Sequence, residues 1–208
     1  MQGYIIHTQA QKGEDLIVRI LTQSAIKTLY RFYGARHSLV HIGHRIDFVQ
    51  EYNGLFMPKL RNVLHLGFGW ERDLERVYVW QRFMGLLHKH LRDIYEIEGF
   101  YLEILDEASI KLAKQNPMRV MIESYAKILE KEGRNPSQNP HNDECFLCGE
   151  ALGEDIALVR SFMPTHRHCA NGLHIQKNKI KDFLSTQKSL ALSDDEVRGL
   201  YEVLLLGF

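Results

Sequence analysis

Three cysteines and two histidines carry the most specific chemistry in this sequence. Cys145 and Cys148 stand in "ECFLCGE" with C-x₂-C spacing, and His166 and Cys169 in "PTHRHCANG" repeat that interval. Two ligands so spaced share one tight turn and reach a common tetrahedral ion, at about 2.3 Å for each thiolate. Gly149 follows the first pair, where such a knuckle favours a residue tolerant of positive φ. Asn171 and Gly172 relax the turn after the second. Cys145, Cys148, His166 and Cys169 are therefore the candidate zinc ligands. His168 is the alternative to His166, being only two residues away, and the spacing favours His166. Four protein donors leave no position for water or substrate, so the ion is expected to be structural. The deaminase pattern, H-x-E with P-C-x-x-C, is absent. A redox C-x-x-C would want a strand end in a βαβ setting, whereas this one follows a proline-rich linker. An odd, clustered set of cysteines also fits metal better than a disulfide framework.

A second chemical stretch is "LYRFYGARH", Leu29 to His37. In extended chain Arg31 and Tyr33 share one face while Tyr30 and Phe32 share the other. One aromatic set is expected to fill a barrel and the other to sit beside arginine. Cations next to exposed rings suit single-stranded nucleic acid, where charge follows phosphates and rings stack on bases. Arg36 and His37 follow Gly34, and Lys27, Lys59 and Arg61 extend a basic track. Residues 1–70 hold 8 Lys and Arg against 4 Asp and Glu, with 5 histidines besides, although the whole chain balances 26 against 26. A basic front in a neutral chain points to an anionic partner for that front.

These residues need positioning. "GYIIHTQ", "DLIVRILTQ", "IKTLYRFYGARHSLV", "HRIDFVQEY" and "RNVLHLGF" are five β-like runs with turn punctuation between them, which predicts a small barrel over residues 1–69. From Trp70 the period changes. Leu74, Val77, Trp80, Met84, Leu87 and Leu91 make a helical stripe, widened by Phe83 and Leu86. A second helix is expected near 96–114. A third opens at Asn116-Pro117, with asparagine as N-cap and proline in the first turn. "GRNPSQNPHND" reads as a linker. A helix is expected near 173–185, and the last begins at Ser193, where Glu196 completes a capping box. The expected division is 1–69 barrel, 70–140 first helical part, 141–172 zinc-binding module and 173–208 second helical part. The fold class is thus α+β and multi-part.

The order of these parts resembles the RecO family of bacterial recombination mediators. The likeness is carried by "GYIIHTQAQKGEDLIVRILT", by "YGARH", by the helical middle and by the late paired knuckle. The resemblance implies an N-terminal OB-fold, a helical domain and a small zinc module. It further implies binding of single- and double-stranded DNA, strand annealing and, with RecR, loading of RecA onto DNA coated by single-strand-binding protein. Contact with the acidic C-terminal tail of that protein is implied as well. Basic residues on the barrel bind DNA in the family; Arg31 and Arg36 occupy the matching segment, with Lys27 beside them. Many members use four cysteines for zinc, where this chain has His166 in one place.

The rival readings are a zinc-assisted nuclease and an interaction module that never touches nucleic acid. No G-x-S-x-G, Walker loop or G-x-G-x-x-G is present. The start lacks a signal-peptide pattern, and the apolar C-terminal "LLLGF" is far shorter than the roughly 20 residues a membrane span needs. A cytoplasmic, nucleoid-associated protein that is not an enzyme is expected.

Overall fold

The computed structural model describes residues 1–36, 39–52, 54, 56–138 and 143–208. Its backbone forms two compact units, Met1–Ala113 and Lys114–Phe208. That boundary follows contacts rather than composition, and it falls inside the span read as the first helical part.

The first unit begins with strands β1 (Gln2–Ala10), β2 (Leu16–Leu21), β3 (Ile26–Arg31), β4 (Arg45–Glu51) and β5 (Lys59–His65). They close into a barrel in the order β1-β2-β3-β5-β4, with β4 paired back on β1. The β3–β5 pair is parallel at Tyr30 and Lys59, and the remaining pairs are antiparallel. A closed five-stranded barrel of this order is an OB-fold. Ile5, Val18, Ile20, Leu29, Ile46, Phe48 and Leu60 fill it. Gly3 permits the tight β1–β2 approach, because a Cβ there would lie 2.4 Å from the Leu21 carbonyl oxygen.

Helix α1 (Leu74–His90) starts where the Asp73 side chain accepts from the Glu75 and Arg76 N–H groups. Its buried face is Val79, Trp80, Phe83, Met84, Leu86 and Leu87. Leu74, expected in that stripe, is 83% exposed, because the first turn runs beyond the surface the helix covers. Trp80 donates to the Gly43 carbonyl, and its ring meets Tyr4 edge-on at 5.7 Å. Helix α2 (Phe100–Lys111) starts later than expected. Residues 95–97 are instead extended: Ile26 N–H donates to Tyr95 and Ile97 N–H to Ser24. Tyr4 and Arg45 both hydrogen-bond to Asp106 of α2.

The second unit opens with α3 (Pro117–Lys131), capped by Asn116 as expected. The expected linker is partly structured. Asn135 is buried and donates to the Leu184 carbonyl and to Glu130, and Pro136 is buried beside it. Residues 139–142 of that stretch lie outside the described residues. Three short strands, β6 (Asp155–Val159), β7 (Met163–Thr165) and β8 (His174–Gln176), form a sheet in the order β7-β6-β8. Helices α4 (Lys177–Thr186) and α5 (Asp194–Leu204) complete the unit. The capping box at Ser193 and Glu196 is present. Its core joins Val120, Met121, Tyr125, Ile128 and Leu129 of α3 with Val197, Leu200 and Leu204 of α5 among others.

Candidate nucleic-acid interface and metal site

On the barrel, the parallel β3–β5 register sets Lys59 beside Tyr30, and strand alternation puts Arg61 on the same side as Lys59. Phe32, just past β3, is 40% exposed. Lys59 Nζ lies 5.4 Å and Arg61 Cζ 5.8 Å from its ring centre, both within cation–π range. Tyr30 meets Phe32 edge-on at 4.9 Å. Its hydroxyl is held by Asp15 at 2.5 Å, and Asp15 also accepts from the Tyr33 N–H. Those two hydrogen bonds, the tyrosine's first, hold the Asp15 carboxyl below the usual range. Phe56 is 76% exposed, and with Met57, Tyr30, Phe32 and Lys59 it lines an open cavity of about 400 Å³. Arg61 pairs with Glu51 at 2.7 Å. Arg31 donates to the Leu60 carbonyl, and burial first and the Arg61 charge second depress its guanidinium. Lys59 and Arg61 thus flank one edge of an apolar slot, with Arg31 held on the backbone between them. Such a slot can accept a planar ring and hold an attached anion.

In the second unit, β7 delivers His166 and the first knuckle delivers the cysteines. Gly149 takes φ 77°, and its N–H closes the turn onto the Cys145 carbonyl at 2.8 Å. The Cys169 N–H closes the other turn onto His166 at 3.1 Å, and Phe146 N–H to the Pro164 carbonyl ties the two together. His166 Nδ1 stands 3.3 Å from Cys148 Sγ and 3.8 Å from Cys169 Sγ. A tetrahedral zinc with ordinary bond lengths separates such donors by about 3.6 Å, so the set fits the ion. The other ring nitrogen, Nε2, is 3.0 Å from the Ala151 carbonyl, which leaves Nδ1 as the lone-pair donor. Burial pushes the Cys145 thiol up, but N–H groups of His166, Cys148 and Leu147 outweigh it and bring the thiol down to about 6. Burial and the neighbouring thiolates push Cys169 up to about 11. A bound cation relieves that repulsion and keeps all three deprotonated. Cys145, Cys148, His166 and Cys169 are grouped closely enough to hold a metal ion. His168 stacks on His166 at 4.9 Å and stands outside that group.

Comparison with known families bears on the barrel. Residues 1–71 match a family model described as RecO N terminal. The match covers the barrel, 71 of the 208 residues, and likens that part of the chain to the family. No curated protein sequence matches the chain. The barrel gathers Arg31, Lys59 and Arg61 along one edge, whereas Arg36 forms an ion pair with Glu14 and lies 5.4 Å over Tyr33. Lys27 lies opposite Ile20, towards the other end of β3. His37 lies outside the described residues. One expectation is corrected. Neither aromatic set fills the barrel: Tyr30, Phe32 and Tyr33 all look outward, and the interior is aliphatic apart from Phe48. Phe56 and Met57 were not foreseen. Their signal is an apolar pair inside a Gly- and Pro-bounded loop, "NGLFMPK", where exposure favours binding over packing. Among the described residues no helix is long and apolar enough to cross a membrane.

Proposed function

We propose that this chain is a DNA-binding recombination mediator whose barrel holds single strands through the Phe32 slot. The observation that carries the reading is an exposed aromatic ring flanked by Lys59 and Arg61, on a domain of the RecO type. A base stacks on Phe32 or Phe56 while Lys59, Arg61 and Arg31 neutralise the adjoining phosphates. Stacking accepts any base, so little sequence preference follows. Arg36 and Tyr33 lie away from Phe32 with Arg36 paired to Glu14, and Lys27 lies towards the other end of β3, so these three contribute less, whereas Arg61 exchanges its Glu51 partner for a phosphate. Neutralising two strands at once, or one strand and a duplex, lowers their repulsion and promotes annealing.

In this reading the protein acts with RecR to load RecA onto DNA coated by single-strand-binding protein, whose C-terminal tail it contacts, in the nucleoid. Cys145, Cys148, His166 and Cys169 hold a structural zinc, which supplies cross-linking of two turns rather than a reactive centre. The closed donor set supports this over a zinc-assisted nuclease. The test is an annealing assay with complementary labelled oligonucleotides. Wild type accelerates annealing without cleaving either strand, and the Lys59→Ala/Arg61→Ala variant loses most of the acceleration. Equal rates for the two proteins would remove the site, and strand cleavage would favour the nuclease.

A further inference from the structure

A second group of metal-donor side chains lies in the first unit, away from any cysteine. His44 immediately precedes β4, His65 ends β5, and Glu71 lies in the turn that leads to α1. Each offers a ligand atom, and those atoms all lie within 4.8 Å of one another. Zinc with two imidazoles and a carboxylate needs neighbouring donors about 3.4 Å apart, so the His44 and His65 rings, stacked near-parallel, must turn out of that stack to aim their in-plane lone pairs at one ion.

The backbone around the three is firmly held. His44 is tied to β1 on both sides, its carbonyl accepting from Ile5 N–H at 3.0 Å and Gly43 N–H donating to the Ile5 carbonyl at 2.7 Å. Beside His65, Leu66 N–H donates to the Arg45 carbonyl at 2.9 Å. Next to Glu71, the Trp70 indole donates to the Ser109 carbonyl at 2.8 Å. Donors presented from fixed elements lose little freedom when a metal binds.

The protonation pattern also suits an ion. His44 Nδ1 is 3.2 Å from the Leu39 carbonyl, which makes it the N–H side and leaves Nε2 as a lone pair. That is the second contact a ligating histidine commonly makes. No hydrogen bond to His44 Nε2 occurs among the described residues. The His44 and His65 rings stack at 3.9 Å and 16°. His65 Nε2 is 3.0 Å from Glu71 Oε1, and a proton or a cation can sit between them. Both side chains are mostly shielded, at 20% and 25% exposed.

We propose that His44, His65 and Glu71 bind a divalent transition ion of the zinc class, with His41 standing outside the group. The His41 ring is 5.2 Å from that of His44 and lies on the exposed side. Two imidazoles with one carboxylate select such an ion over magnesium or calcium, which prefer all-oxygen shells. The ion would clasp the start of β4, the end of β5 and the approach to α1.

Cobalt(II) titration of the full-length, metal-stripped protein tests this, because thiolate ligation gives charge-transfer absorption that nitrogen and oxygen ligation does not. Wild type should show one equivalent with that absorption and a second, weaker equivalent with visible bands alone. His65→Gln and Glu71→Gln should weaken the second event at least tenfold, while His88→Gln keeps it. Glu71→Gln retains a hydrogen-bonding partner for His65, so it reports on metal even where His65→Gln fails to fold. Absence of a thiolate-free event in wild type, or its persistence unchanged in Glu71→Gln, overturns the site.

Discussion

At the scale of single residues, the barrel reading rests on Phe32. If its ring is a stacking platform, Phe32→Ala should weaken single-strand binding by about 1–3 kcal/mol while the barrel still folds. Fluorescence anisotropy measures the first and circular dichroism the second. A separate prediction concerns His88, whose ring stacks on His7 at 3.9 Å and whose Nδ1 faces Arg19 at 3.3 Å. Burial first, then the charges of His7 and Arg19, bring its pKa down from 6.5 to about 4. The unfolded chain therefore takes up this proton near pH 6.5 and the folded chain only near 4. Stability contributed by the neutral ring falls as pH drops through that window. Urea midpoints should decline from pH 6.5 to 4, and less steeply in His88→Gln. Parallel slopes in the two proteins would discount His88 as the source.

At the scale of elements, Ser193→Ala should cost about 1 kcal/mol by removing the capping box of α5, read from a urea melt. That cap was legible in sequence, as was Asn116, because capping is set by a few adjacent residues. The five barrel strands were legible for a related reason, their β-branched runs and turn signals being local. Those runs also predicted a small barrel, but not its strand order, since β3–β5 and β4–β1 pairing joins distant segments; the OB-fold expectation came from the family likeness. The outward rings show the same limit. Alternation tells which residues share a face, but not which face is inside. Strands β6 to β8 escaped because three to five residues carry no measurable period. The cysteine spacing, by contrast, picked out the four side chains that the fold groups closely enough to hold an ion. A chelator should release one zinc from the Cys₃His set and loosen the second unit, since β7 runs directly into His166. Cys145→Ser should bind less zinc by elemental analysis and lose near-ultraviolet ellipticity. Full zinc content in that variant would move the ion elsewhere.

At the scale of the whole molecule, a chain of balanced charge, 26 against 26, keeps its positive excess in the amino-terminal part. On the proposed reading, attraction for DNA is a property of one barrel edge and is sensitive to salt. Each phosphate contact with a single strand contributes about 0.7 to the slope of log affinity against log salt. Removing Lys59 and Arg61 together should lower that slope by about 1.4. The most direct measurement is the anisotropy of a labelled single strand titrated with full-length protein across a salt series. The account predicts tight binding in dilute buffer, a steep decline with salt, similar curves for unrelated sequences and a shallower slope for Lys59→Ala/Arg61→Ala. No binding at the lowest salt, or a slope the double substitution leaves unchanged, would contradict it.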